Sequence, residues 1–213
     1  MAGLFITFEG IEGCGKTTQI RILEEQLRLR GHEVVLTREP GGTPIGDKIR
    51  HILLDAANDA MQPLTELFLY VAQRCQHVAQ VIAPALEKGK VVLCDRYFDA
   101  TRAYQGVARD LDPQLLGQLH TIGTGNLMPQ LTLLFDCPVE VGLERANERI
   151  ARSGGNRRED RFEQEHLDFH ERVREAYLEI AREEPQRVRV INAADDIETV
   201  HQRVMQEVMK VIA

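Results

Sequence analysis

The sequence predicts an α/β protein built on a doubly wound parallel sheet, P-loop NTPase-like, and three observations carry that prediction. Short runs of nearly continuous apolar character recur at Leu4–Phe8, Glu33–Thr37, Val91–Cys94, Leu131–Phe135 and Arg187–Ile191. Stretches with helical spacing separate them. The string GIEGCGKT at residues 10–17 follows the first run directly. Continuous apolar runs mark strands covered on both faces, as helices cover a parallel sheet, and right-handed crossovers then place ligands at its carboxyl edge.

Taken in order, the first strand enters the glycine-rich turn, and helices are expected over 18–30, 45–57, 64–88, 112–122, 139–152, 164–184 and 196–211. Gly31 and Gly89 end the first and third of these, because glycine accepts the left-handed conformation that closes a helix. The 213 residues, 43 % hydrophobic, suffice for one core, so a single domain over 1–213 is expected. No repeat or low-complexity tract interrupts it. Between two helical segments, Arg152 to Arg161 reads as a charged loop hinged at Gly154 and Gly155, which fits a lid at about 150–162.

The formal net charge is −7, which supplies no basic field for a nucleic-acid polymer or an anionic membrane. No apolar run reaches membrane-spanning length and no leader pattern opens the chain, so a soluble cytoplasmic protein is expected. Cys14, Cys75, Cys94 and Cys137 have no metal or CxxC spacing and suit free thiols in a reducing compartment.

Gly10, Gly15, Lys16 and Thr17 stand at the fixed positions of a P-loop. Backbone N–H groups of Gly10, Ile11, Glu12, Gly13, Cys14 and Gly15 can surround a phosphate, and the helix beginning around Thr18 points its positive end at it. Lys16 is expected at the β- and γ-phosphates of ATP and Thr17 on Mg²⁺. The third strand delivers Asp95 to the same edge, suited to Mg²⁺ directly or through water, and Arg96, suited to a bidentate phosphate contact. The second strand delivers Arg38, followed by the rigid turn at Pro40. Two arginines aimed at the acceptor, with an arginine-bearing lid, imply that the acceptor itself carries a phosphate. A phosphate monoester is already an anionic nucleophile, so the absence of a general base agrees with that reading.

The strings FEGIEGCGKTTQ, TREPGGTPIG, FLYVAQR, CDRYFDATRAYQG, LLFDCP and RFEQE occur in this order, and with them the chain resembles bacterial thymidylate kinase from end to end. REPGGT, DRY and AYQG are the specific part of that resemblance. It implies phosphoryl transfer from MgATP to dTMP, giving dTDP for dTTP synthesis, on a five-stranded parallel core in a homodimer. It places Arg74 on the thymine edge, Tyr70 stacked on the base where the family more often has phenylalanine, Thr101 and Gln105 around the base and its methyl group, and Tyr104 against the sugar. Glu12 corresponds to the acid near the 3′-hydroxyl, and Glu9 lies near enough to assist the metal shell. One branch of the family carries an arginine where this chain has Gly13. The other draws the catalytic arginine from the lid, which here offers Arg149, Arg152, Arg157, Arg158 and Arg161. Arg152 and Arg157 are the candidates, with Asp160 ordering the lid. Adenine is expected between Arg149 and the turn 192–195, at Ala194.

His166 and His170 have the i, i+4 spacing of a metal pair, but no third ligand is apparent, and both are read as a solvated face. The apolar positions of Leu64 to Leu86 read as core or dimer face, and the charges of Glu163 to Glu184 as an outer helix surface. The competing readings are another nucleoside monophosphate kinase or a deoxynucleoside kinase and, from a different class, a P-loop switch or binding module. Against the last stand the absence of a guanine-reading NKxD string from this sequence and the acceptor-side arginines, which a switch does not need.

Overall fold

The structure, a computed structural model, describes residues 3–152, 161–162 and 165–212, without the side chains of residues 149, 150 and 152. Strands β1 (Leu4–Glu9), β2 (Val34–Arg38), β3 (Val91–Asp95), β4 (Leu131–Asp136) and β5 (Val188–Asn192) form one parallel sheet in the order β2-β3-β1-β4-β5. Phe8 of β1 and Arg38 of β2 both register with Asp95, and Glu9 registers with Leu134. The carboxyl ends of the central strands therefore finish together, with β2 and β3 on one side of β1 and β4 and β5 on the other. This is the reversal of strand order at which doubly wound sheets bind ligands.

The three central strands are buried almost throughout, as their apolar runs require. The two edge strands alternate instead, leaving Leu36 and Val190 exposed, because an edge strand has a neighbour on only one side and helices cover it incompletely. Successive β1 side chains feed opposite cores. Ile6 and Phe8 join Leu23, Leu93 and Phe135 on one face, and Phe5 joins Leu67, Ile82, Val92 and Tyr97 on the other.

Helix α1 (Lys16–Leu29) buries Ile20, Leu23 and Leu27 along one stripe and closes before Gly31 at φ 89°. Helix α2 (Pro44–Leu54) begins with the Thr43 hydroxyl capping the Gly46 N–H and stops short of residue 57, because Asp55 turns extended and caps a separate short turn. The rod expected over 64–88 is α3 (Pro63–His77), a widened turn at Val78–Ile82 and α4 (Ala83–Glu87). Pro84 in α4 explains the widening: it lacks an N–H, and its ring would collide with the carbonyl four residues back. A helical segment absent from the sequence reading follows β3, as α5 (Phe98–Thr101) with a wide-turned continuation over Arg102–Ala108. Its buried positions mix Asp99, Thr101 and Gln105 with Phe98, Ala103, Tyr104 and Ala108, so no continuous apolar stripe announces it. The remaining helices are α6 (Pro113–Thr124), α7 (Val139–Arg152), α8 (Leu167–Glu183) and α9 (Ile197–Val208).

His120 of α6 stacks on Phe98 at 3.9 Å between ring centroids, and its Nε2 meets the Leu127 carbonyl at 3.1 Å. Burial, reinforced by the charge of Arg74, pushes its pKa down from 6.5 to about 4. Between those values the unfolded chain binds a proton that the folded chain refuses, so acidification destabilises the fold there and full stability is kept above the upper value. The urea midpoint is expected to fall between pH 6.5 and pH 4, and to fall less steeply in His120→Asn. Equal slopes in the two proteins would contradict this.

Candidate active site

The loop after β1 is shaped by what it touches. Gly10 has φ 130°, and a Cβ there would lie 2.3 Å from the Phe135 carbonyl of β4. Gly13 has φ 70°, and a Cβ there would lie 1.9 Å from the Gly142 carbonyl of α7. The loop is thus pressed between two backbones that admit no side chain. Gly15 caps α1 in the left-handed conformation, with no side chain on the first N–H groups and no acid in the first turn. Those N–H groups and the helix dipole are left to an anion. The Lys16 ammonium lies inside the turn, donating at 2.8 Å to the carbonyls of Gly10 and Ile11 and at 3.3 Å to Cys14 Sγ.

β3 ends against this loop in a strained turn. Arg96 has φ 67°, uncommon for a residue with a side chain, and is held there because its N–H donates to Phe8 O while the Tyr97 N–H donates to Glu9 Oε1 at 2.7 Å. Tyr177 of α8 donates to the other Glu9 oxygen. Burial, with the nearby Asp99 charge, pushes the Glu9 pKa up to about 7. The turn throws the Arg96 guanidinium onto Glu12, with Nη2 to Oε1 at 2.8 Å and Nη1 to Tyr177 Oη at 3.1 Å. Tyr104 donates to the same Glu12 oxygen at 2.6 Å. Burial raises the Glu12 pKa, but Arg96, His170, Lys16 and Tyr104 outweigh it and hold the carboxylate well below its ordinary range.

Beyond Arg96 a second buried set stiffens the wall. Arg74 Nε donates to Glu39 Oε2 at 2.6 Å, and its Nη2 donates to Tyr97 O and to Thr101 Oγ1. His77 donates to Glu39 Oε1 at 2.9 Å. Burial pushes the Glu39 carboxyl up, yet Arg74 and His77 hold it down. A cleft of 1630 Å³ runs from the P-loop past these groups, with Thr17, Arg38, Asp95, Tyr70 and Gln105 on its walls. It has room for two nucleotide-sized ligands meeting near Lys16, Asp95 and Arg96, and its charged groups suit phosphate transfer between them.

The thymidylate kinase family model matches residues 8–204. The chain belongs to the thymidylate kinase family. It is 60 % identical over 196 residues to the curated thymidylate kinase of Geobacter sulfurreducens, covering 92 % of each chain. It is 53 % identical over 208 residues to that of Pelobacter propionicus, covering 98 % of this chain and 94 % of the relative. A crystal structure of thymidylate kinase from Ehrlichia chaffeensis superposes with a TM-score of 0.77 at 34 % identity, covering 98 % of this chain and 99 % of that one. The five-stranded P-loop fold is the fold of that family, and the chain is a nucleoside monophosphate kinase by descent.

Among the sequence-predicted residues, Gly10 and Ile11 are buried at the root of the loop, their carbonyls accepting from Lys16, and most of the others divide into three groups. Glu12, Gly13, Cys14, Gly15, Lys16, Thr17, Thr18, Arg38, Pro40, Tyr70, Arg74, Asp95, Arg96, Tyr104 and Gln105 face the cleft. Glu9 and Thr101 stand behind its wall: both Glu9 oxygens are taken by Tyr97 and Tyr177, and Thr101 accepts from Arg74. The side chains of Arg149 and Arg152, and all of Arg157, Arg158 and Asp160, lie outside the described residues.

Three expectations need correction. Arg161 is no cleft arginine in this structure: it is buried on Glu66 and donates to Leu53 O. His166 and His170 share no solvated face, since His166 is exposed while His170 is fully buried with Nδ1 3.4 Å from Glu12 Oε2. The 192–195 turn meets the cleft through Ala193 and Asp195 rather than Ala194, and among the described side chains the arginine beside it is Arg145, which donates to Ala193 O at 3.3 Å. Arg145, Tyr177 and Arg50, a cleft-lining residue of α2 that donates to Pro40 O at 3.0 Å, escaped the sequence reading because ordinary helical positions carry no motif. Glu39 was within reach, as the acid beside Arg38 in the REPGGT string.

Removing Glu39 strands the buried Arg74 guanidinium, and loss of one partner from such a pair costs about 3–5 kcal/mol. Glu39→Ala is therefore expected to lower the unfolding free energy by about that amount. A urea titration showing a loss under about 1 kcal/mol, the range of exposed pairs, would refute the buried-pair account.

Proposed function

We propose that the cleft transfers the γ-phosphoryl group of MgATP to the 5′-phosphate of dTMP, giving dTDP and ADP in dTTP synthesis. The single observation that supports it best is the placement of two independent phosphate-suited groups, the α1 N-terminus with Lys16 and the Arg96 turn, at adjoining strand ends of one cleft. The loop N–H groups and Lys16 hold the donor phosphates. Arg96, with Arg38 beside it, holds the acceptor phosphate so that its oxygen lies in line with the γ-phosphorus. No protein group needs to take a proton from that oxygen, which is ionised already.

The Thr17 hydroxyl and the Asp95 carboxylate are hard oxygen donors on the cleft wall and suit Mg²⁺. Mg²⁺ is commonly held by one or two carboxylate or hydroxyl oxygens together with substrate phosphates and water, which is the donor set these two residues offer. When bound, Mg²⁺ would neutralise charge on the donor phosphates. Glu9 acts on this site by fixing the Arg96 turn. The dTMP base lies between Tyr70, Arg74 and Gln105, with Tyr104 and Glu12 toward its sugar. Adenine lies between Arg145 and the 193–195 turn. An arginine of the 150–162 lid, Arg152 or Arg157, supplies the charge that Gly13 does not.

The same proposal includes a homodimer and a cytoplasmic location. The packed helices α3 and α6 leave Leu64, Phe68 and Ile122 exposed on their outer surfaces, apolar area that a second copy would cover. The four cysteines are unpaired, and among the described residues no helix is long and apolar enough to cross a membrane.

ADP release with dTMP, dUMP, dCMP, AMP and thymidine as acceptors tests the reading. The expected order puts dTMP first and thymidine at background. Faster turnover with AMP or thymidine would overturn it in favour of another nucleotide or nucleoside kinase, and acceptor-independent hydrolysis would favour a switch. Arg96→Ala is expected to cut kcat/KM for dTMP by about a hundredfold or more while changing the Kd for ATP less than about threefold. Equal losses for both ligands would make Arg96 a structural residue.

A further inference from the structure

Gln105 lies on the cleft wall, yet its amide nitrogen is engaged inside the protein: Nε2 donates to Glu66 Oε1 at 2.6 Å, and both residues are buried. We infer that Glu66 is a positioning residue for acceptor specificity, fixing the Gln105 amide so that its carbonyl oxygen, and not its NH₂ group, faces the acceptor base.

Glu66 is fully buried on α3, one helical turn before Tyr70, and stands against two guanidinium groups. Arg161 Nη2 pairs with its Oε2, and Arg109 Nη2 lies 3.7 Å from the same oxygen. A carboxylate in that setting accepts hydrogen bonds and has no proton to donate. Gln105 must turn its NH₂ end toward Glu66, so the carbonyl is the end left to the cleft. The two ends of an amide read opposite patterns. N3 of thymine bears a hydrogen and donates, whereas N3 of cytosine is a lone pair and accepts. A fixed carbonyl matches the first and sets two acceptors against each other with the second. A freely turning amide would suit both bases. Glu66 therefore supplies discrimination by penalising the wrong partner, without touching either base. Arg161 and Arg109 hold the carboxylate in place, from the segment before α8 and from the end of the wide-turned segment after β3.

The inference rests on the reading that Gln105 meets the acceptor base, and the test separates the two. The quantity measured is the ratio of the dCMP Ki to the dTMP KM, with the KM for ATP and the melting temperature recorded alongside. Glu66→Gln allows the Gln105 amide to turn and is expected to lower the ratio by about tenfold, with the KM for ATP unchanged. Glu66→Asp keeps the charge for Arg161 and Arg109 but withdraws it by one methylene from Gln105. It is expected to lower the ratio too while melting close to the parent, and it decides the matter if Glu66→Gln folds poorly. In a Gln105→Ala background, Glu66→Gln is expected to lower the ratio no further. An unchanged ratio in Glu66→Asp, or losses that add in the double variant, overturns the positioning role. An unchanged ratio in Gln105→Ala alone overturns the placement of Gln105 at the base, and the inference with it.

Discussion

The cleft depends on one junction, where the end of β1 grips the turn after β3. The Phe8 carbonyl accepts from Arg96 N–H and the Glu9 carboxylate from Tyr97 N–H, so a non-glycine residue is held at positive φ exactly where its side chain must leave the sheet. The donor loop grows from the same strand, one residue beyond Glu9. The P-loop and the Arg96 turn therefore share a rigid origin, and their separation is set by a parallel register rather than by flexible loops. Glu9 also accepts from Tyr177, which extends the grip to α8.

Around this junction the protein has matched its buried and half-buried charges with one another. Glu12 stands against Arg96, Glu39 against Arg74 and His77, Glu66 against Arg161. Such pairs add little net stability, since desolvation offsets most of their attraction, but each leaves its members few alternative geometries. A phosphoryl-transfer site gains from that rigidity, because its work is to hold charges in place before the substrates arrive.

The central strands were legible because burial on both faces keeps their runs mostly apolar, with only Thr7, Thr132 and the strand-end acids among the apolar side chains, and the P-loop because Gly10 and Gly13 answer to backbone collisions. Arg38, Asp95 and Arg96 were legible as strand-end residues. The segment 98–108 was not, since it buries Asp99, Thr101 and Gln105 on partners distant in sequence, Arg187, Arg74 and Glu66, and these polar side chains break the periodicity by which helices are recognised. His170 was misread for a related reason. Charged neighbours on α8 made its spacing look like solvent, whereas the buried partner that draws it inward, Glu12, lies far away in sequence. Arg145 carries no local signal at all; only the packing of α7 beside the turn after β5 reveals it.

Gly13 and Gly142 meet backbone to backbone, and a Cβ on either would collide with the other side of the contact: one added to Gly142 would lie 2.6 Å from the Glu12 carbonyl. The two positions are therefore not independently mutable. A lineage that gained a side chain at position 13 would first have to move the start of α7 away from the loop, and a lineage that kept α7 here could never accept one. A side chain at position 13 thus requires a compensating movement of the backbone of α7, which a single codon change does not supply.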